Sequence, residues 1–348
     1  MLKIFGNDKV MKWLGRLLGI LLAIALFWFI TPLRIAFAAP TPPPYTTSWY
    51  LDISNPANLS TTLYNMGCTL GTHDYNTAGT QDNVVILLFG KPGYSGSTYG
   101  AYDWTGQGSS STVFLSTAQI ANAVEQFGWG YYKCTLTDTT SQVYVAAGVN
   151  NSGSTVGYNH GSAWAAMTNN INSWISANGY SSQVKVRASG DMEMDFNDAT
   201  STKDWVNGYS ASYGGNSLYL YDVGSAAGCP ISGNPTANSP CNNEWVVDDV
   251  QYVSWGTTPL YPLPEIYNTA GANASQWYMI SLYSYVYKGG PLYFLGSLTE
   301  YQACLQMGGC TGINNSPGTG WTQLWNTITA DYRTYQSILR WSTDMKWN

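Results

Sequence analysis

The sequence predicts one (β/α)8-type, TIM-like barrel with irregular elements over residues 46–348. Strand-like and helix-like segments alternate along the chain, which is typical of parallel strands joined by right-handed crossovers in a closed barrel or an open sheet. Residues 83–89 are a continuous apolar run, as expected of a strand buried on both faces. Residues 184–190 are expected to form a strand with apolar side chains on one face, and carboxylates follow it at alternating positions. Together these features favour the barrel.

Seven segments of the chain are expected to form strands. Short runs rich in β-branched and aromatic residues, bounded by turn-forming residues, indicate strands. On this basis the expected strands cover residues 83–89, 142–147, 184–190, 217–222, 250–255, 276–282 and 341–347. The strand over residues 184–190 is expected at the centre of the sheet.

Four segments between these strands have the apolar spacing of amphipathic helices. Ser116 is suited to cap a helix that ends at Gly128. Residues 162–176 place their large apolar side chains on one helical stripe, and Ser201 opens a short helix with a pattern close to a capping box. A late helix is expected around residues 321–328.

The first 38 residues have the features of a secretory signal peptide. Basic residues precede an apolar run at residues 17–30, and Ala36 and Ala38 fit a small-x-small cleavage site. The long basic region also leaves an uncleaved membrane anchor open. The proline-rich residues 39–45 indicate a stiff spacer. We therefore expect a secreted protein, associated with a membrane only if this segment is retained.

The exported part is strongly acidic. After residue 38 the chain keeps 9 of its 14 basic and 19 of its 20 acidic residues, so its formal charge is −10. Such a surface repels nucleic acid and anionic lipid, and we expect no nucleic-acid partner. The exported part also holds 13 of the 15 tryptophans, and aromatic faces stack well on sugar rings.

Six cysteines lie in the exported part, which suggests three disulfides. Short loops favour the pairs Cys229–Cys241 and Cys304–Cys310, which leaves Cys68 with Cys134. The cysteines lack paired Cys-x-x-Cys spacing and the chain has only two histidines, so a structural zinc is not expected. We expect no cofactor.

The carboxylates after residue 190 are the main candidates for chemistry. Asp191, Glu193 and Asp195 would share one strand face, while Val184 and Val186 face the helices. Active sites of such barrels lie at the carboxyl ends of the strands. A glycosidase needs a protonated carboxyl and a second carboxylate. Glu193 is the candidate acid, and the charge of Asp191 would raise its pKa.

Further candidates lie on later segments. Asp222 would orient water or place the sugar from the neighbouring strand. Tyr221, Trp255 and Asp195 are candidate sugar contacts, with Trp255 as a wall of the cleft at the end of a strand. Glu265, in a proline-rich loop, is a candidate second carboxylate.

Two other interpretations of the acids stay open. Lys185 and Arg187 share the strand face of the carboxylates and could neutralise them in a structural network. The oxygens could also hold calcium, although the segment lacks the turning glycine of a calcium loop. We expect no metal.

The order of motifs resembles the secreted glycoside-hydrolase-like barrels related to family-25 (Chalaropsis-type) lysozymes. The similarity lies in Asp191-Met-Glu193, in the strand that ends at Asp222 and in the closing residues 343–347, while residues 250–256 and 320–325 look like uncharacterised bacterial secreted barrels. It implies a carbohydrate-active protein with peptidoglycan or a related polysaccharide as partner. These lysozymes carry an aspartate on the first strand, and residues 83–92 offer none. A non-catalytic glycan-binding or envelope structural protein is the alternative.

Overall fold

The computed structural model describes residues 40–104, 111–215 and 218–348. The predicted signal peptide lies outside these ranges, and residues 40–45 of the predicted spacer have no regular structure. The strands are β1 (Thr46–Tyr50), β2 (Asp82–Leu88), β3 (Lys91–Ser95), β4 (Thr98–Tyr102), β5 (Phe114–Ser116), β6 (Gln142–Asn150), β7 (Val184–Asp191), β8 (Leu220–Asp222), β9 (Leu260–Pro262), β10 (Gly296–Thr299) and β11 (Trp341–Trp347).

The helices are α1 (Pro56–Asn76), α2 (Thr117–Cys134), α3 (Tyr158–Ala177), α4 (Ala199–Ser212), α5 (Val247–Gln251), α6 (Ala272–Lys288), α7 (Tyr301–Gln306) and α8 (Pro317–Thr329). A π-helical turn (Tyr252–Gly256) follows α5. None of the helices in the described ranges is long and apolar enough to cross a membrane.

Eight parallel strands form one sheet in the order β10-β11-β1-β2-β6-β7-β8-β9. The two edges of this sheet meet beyond β9, where Ile266 N donates to Leu298 O at 2.8 Å and Leu298 N donates to Pro264 O at 2.9 Å. The sheet is therefore a nearly closed barrel, which confirms the predicted irregular (β/α)8 architecture. Strands β3, β4 and β5 form a separate antiparallel sheet that the sequence did not predict.

Strand β7 lies inside the sheet, paired with β6 along its length and with β8 near its carboxyl end. Val184 and Val186 belong to the apolar cluster between the sheet and the helices, as expected. The opposite parity faces the barrel interior, which is filled by a second cluster that includes Ile86 and Tyr221. Asp191 is the last residue of β7, has this second parity, and therefore lies at the carboxyl end of the barrel.

The three expected disulfides are present: Cys68–Cys134, Cys229–Cys241 and Cys304–Cys310. They indicate an extracellular or otherwise oxidising environment. The first disulfide joins α1 to α2, which pack very closely. A Cβ atom at Gly67 would lie 2.0 Å from the carbonyl oxygen of Phe127, so only glycine fits there.

Two of the predicted strands are wrong. Residues 250–255 lie in α5 and the π-helical turn, and residues 276–282 lie inside α6. Helix α6 is buried on most of its faces, and residues Met279 to Ser284 are all buried. Its apolar residues are therefore not confined to one face, and the sequence lacks the helical spacing of an amphipathic helix. The segment is also rich in aromatic residues, which favour strands, and this is why it was predicted as one.

Some predicted boundaries also change. Helix α2 continues past Gly128 to Cys134, because Gly128 provides room rather than a stop: a Cβ atom there would lie 3.0 Å from Cγ1 of Val184. Helix α4 is capped by Asp198, whose side chain accepts from Ser201 N, and so starts before Ser201. The first barrel strand is β1 rather than residues 83–89, which form the second strand β2.

Candidate active site

The carboxyl ends of the barrel strands surround a cleft of about 420 Å³. This volume lies in the usual range for small-molecule sites. Four acids line the cleft: Asp191 at the end of β7, Glu193 just beyond it, Glu265 after β9 and Glu300 after β10. Glu193 and Glu300 are partly exposed, whereas Asp191 and Glu265 are only 6% and 5% exposed. Substrate in the cleft would therefore meet Glu193 and Glu300 first.

Three of these acids form a tight group, which we call the acid trio: Asp191, Glu193 and Glu265. One carboxylate oxygen from each lies within 4.8 Å of the others. Burial, followed by the charges of neighbouring acids, raises the pKa of Asp191 and of Glu265 well above the usual range. Asp191 and Glu265 therefore hold their protons to higher pH than exposed carboxyls do. Its hard oxygen donors are also close enough together to share a cation.

Glu300 is held in a different way. The hydroxyl of Tyr50, at the end of β1, donates to Glu300 Oε1 and lies 3.5 Å from Glu265 Oε1. Burial raises the pKa of Glu300, and the hydrogen bond from Tyr50 opposes that rise. Burial also raises the pKa of Tyr50 well above its usual value, so the phenol stays protonated and remains a donor. Tyr50 thus orients Glu300 as an acceptor.

The backbone around Glu300 is fixed by Asp344 from β11. Its carboxylate accepts hydrogen bonds from Thr299 Oγ1 at 2.6 Å, Tyr301 N at 2.8 Å and Gln302 N at 3.0 Å. These donors lie on both sides of Glu300 and include two free N–H groups at the start of α7. Asp344 is fully buried, so water does not compete for these hydrogen bonds.

Glu193 is positioned by two neighbouring loops. Asn151, just after β6, accepts from Glu193 N and donates to Glu193 O, each at 3.0 Å. Ser225 N, after β8, donates to Glu193 Oε1 at 2.9 Å. Both the backbone and the carboxylate of Glu193 are therefore fixed by the carboxyl ends of adjacent strands.

Aromatic side chains surround the acids. Trp104 and Phe196 line one part of the cleft with their ring centroids 5.3 Å apart. Trp347 stacks on Tyr50 at 4.7 Å, and Tyr267 lies near Glu265. Residues 303–313 complete the wall, and the disulfide within them ties that loop. Flat apolar faces beside carboxylates suit the faces and hydroxyls of a sugar ring.

The predicted site residues divide into two groups. Asp191 and Glu193 lie together in the cleft, and Glu265 joins them. Asp195 does not, because β7 ends at Asp191 and the chain turns, with Phe196 N donating to Glu193 O at 3.1 Å. The alternation of a strand stops there, and the exposed Asp195 accepts from Asn242 instead.

Asp222 is buried behind the cleft and is not among the lining residues. Its Oδ1 accepts from Gly224 N at 3.2 Å, and its Oδ2 lies 2.5 Å from the Ser254 hydroxyl. Burial raises its pKa to about 7. Asp222 therefore does not face the cleft, and it links β8 to the π-helical turn.

The two predicted aromatic contacts also lie elsewhere. Tyr221 is fully buried in the barrel interior. Trp255 belongs to the π-helical turn rather than to a strand, and packs edge-to-face on Tyr261 at 5.2 Å. Neither side chain lines the cleft.

The proposed structural network with basic partners is wrong. Arg187 lies over the rings of Tyr144 and Tyr219, at 5.6 and 5.2 Å, and donates to the carbonyl of Val186. Lys185 donates to the Ser181 carbonyl. Within the described ranges, the ion pairs join other acids to other cations and leave the four cleft acids without a cationic partner.

Comparisons of the chain with protein-family models, with curated proteins and with solved structures found no match. The cleft itself is therefore the basis for any assignment of function.

Proposed function

We propose that this protein is a secreted glycoside hydrolase that cleaves a cell-wall or related polysaccharide, with its signal peptide removed near Ala38. The observation that supports this most is the pair of partly exposed glutamates, Glu193 and Glu300, in one aromatic-lined cleft. Glycoside hydrolysis needs one carboxyl that gives a proton and one carboxylate that faces the developing positive charge.

Glu193 is the general acid in this proposal. It is the partly exposed member of a trio whose oxygens lie within 4.8 Å of one another, so like charges there disfavour full ionisation. A proton held by the trio can reach the leaving oxygen only through its exposed member. Asp191 and Glu265 act through Glu193 by keeping that proton available, and they are positioning residues.

Glu300 is the second carboxylate. Tyr50 donates to one of its oxygens and Asp344 fixes the backbone beside it. These contacts favour an ionised, oriented group that stabilises the oxocarbenium-like transition state, as nucleophile or as base for water. Trp104, Phe196 and Trp347 supply faces for the sugar rings on either side.

The test is release of reducing ends from peptidoglycan and from neutral polysaccharides. Glu193→Gln and Glu300→Gln keep the shape of the side chain, and each is expected to lower turnover by about 10²–10⁴-fold with little loss of binding. Asp195→Asn is the matched control, because it removes a nearby acid outside the cleft and should leave turnover unchanged.

Full activity of either glutamine variant, on a substrate that the native protein cleaves, would refute the assignment of that residue. Glycan binding without any release of reducing ends would favour the non-catalytic alternative. Absence of both binding and cleavage would reject a carbohydrate function altogether.

A further inference from the structure

The charge of the cleft is one-sided. Four of its lining residues are acids, and none of the lining residues in the described ranges is basic. Residues 105–110, which follow Trp104 in the sequence, include no charged residue. Lys91, whose Nζ lies 5.9 Å from the centroid of the Trp104 ring, contacts the wall without lining the cleft. Such a cleft repels uronic acids and other anionic sugars.

One acid also lacks a donor. Asp191 is 6% exposed, and its Oδ1 has no hydrogen-bond partner. A buried carboxylate oxygen without a donor is costly, so a ligand that donates to it is favoured. Asp191 lines the cleft and also a recess of about 10 Å³ beside Asn150 and Trp104. That recess has room for about one water-sized group.

An ammonium group on a sugar meets these requirements. It is about the size of a water molecule, it carries three N–H donors and it is positively charged. Trp104 lines the same recess, and aromatic rings attract ammonium ions. An N-acetyl group is larger than the recess and carries no charge, and a hydroxyl is uncharged.

We propose that the cleft accepts a hexosamine polymer with free amino groups, and that Asp191 binds the ammonium group of one unit. The inference names a substrate class for the proposed glycoside hydrolase and so rests on that function. It adds a role for Asp191 in ground-state binding, beyond its influence on Glu193.

The experiment is isothermal titration calorimetry at a pH at which the sugar amine is protonated. The background variant is Glu193→Gln, which prevents turnover. The ligands are matched pairs: tetramers of β-1,4-glucosamine and α-1,4-galactosamine, each with its N-acetylated form. For at least one pair we expect the free amine to bind about 10- to 100-fold more tightly, as a charged hydrogen bond in a buried site provides.

Adding Asp191→Asn to the background should abolish this preference, and adding Asp195→Asn should preserve it. Circular dichroism and thermal unfolding check that each variant is folded. The inference is overturned if N-acetylated tetramers bind as well as the free amines, or if the preference survives Asp191→Asn. It is also overturned if Ca²⁺ or Mg²⁺ alone binds the native cleft tightly and displaces the free-amine tetramers, because the acids would then serve a metal.

The two proposals can fail separately. Equal hydrolysis of free-amine and N-acetylated chains by the native protein would keep the glycoside hydrolase and reject the amine preference. Tight, Asp191-dependent binding of the free amine without cleavage would keep the preference and reject hydrolysis.

Discussion

Asp222→Asn is expected to stabilise the protein above neutral pH and to change little near pH 4. The side chain is 2% exposed and accepts from Gly224 N. The Ser254 hydroxyl lies 2.5 Å from Asp222 Oδ2 and 2.7 Å from the carbonyl of Val250, and it has one proton to give. An asparagine amide can donate to Ser254 Oγ while Ser254 donates to Val250, so the substitution keeps the link to Ser254.

The magnitude follows from the pKa of Asp222. Burial raises it from 3.8 to about 7 in the folded protein. Because the folded state holds the proton more tightly, the stabilisation is complete below pH 3.8 and is lost as the pH rises through about 7. The two pKa values differ by about three, and each tenfold change in proton affinity is worth about 1.4 kcal/mol. The ionised native protein should therefore be about 4 kcal/mol less stable than the variant.

The assay is urea unfolding of both proteins between pH 4 and pH 9, with the difference in free energy of unfolding plotted against pH. Taking the difference largely cancels the titration of the other acids. We expect it to grow from near zero to a few kcal/mol, mostly between pH 4 and pH 7. A difference that does not depend on pH, or one that favours the native protein at high pH, would refute the reasoning.

Three further substitutions test the packing. Burial lowers the pKa of His160 to about 4. Its contribution to the free energy of unfolding is therefore complete above pH 6.5, and about 3 kcal/mol is lost as the pH falls to about 4. Urea unfolding of His160→Gln should lack this pH dependence. Replacing Cys68 and Cys134 by serine opens a loop of 66 residues and should cost about 4 kcal/mol in chemical denaturation, and an unchanged midpoint would contradict this. Gly67→Ala should lower the free energy of unfolding by at least about 1–3 kcal/mol. Thr61→Ala, on the exposed side of the same helix, should change it little.

The parts of the fold that could be predicted are those with strong local patterns. Strand β2 is a run of apolar residues because it is buried on both faces, and β7 alternates because its two faces differ. Both strands were predicted. The candidate acids came from extending that alternation beyond β7, and Asp191 and Glu193 both line the cleft. The alternation failed at Asp195 because a turn ends the strand there.

The missed half of the cleft comes from strands without a hydrophobic pattern. Tyr50 ends the polar strand β1, and Glu300 follows the four residues of β10, whose sequence is Gly-Ser-Leu-Thr. Both strands pair with β11, which lies between them in the sheet. For β1 the paired residues are nearly 300 positions apart in the sequence. Local sequence carries no record of such pairing. Their only signal was the type of residue, an acid or a tyrosine close to a turn.

The most direct test of the account is a crystal structure of Glu193→Gln with the tetramer that it binds most tightly. The account predicts the sugar chain in the cleft against Trp104, Phe196 and Trp347, with the glycosidic oxygen within hydrogen-bond distance of the side chain at position 193 and the anomeric carbon facing Glu300. A chain bound elsewhere, or one whose glycosidic bonds all lie out of reach of both side chains, would contradict it.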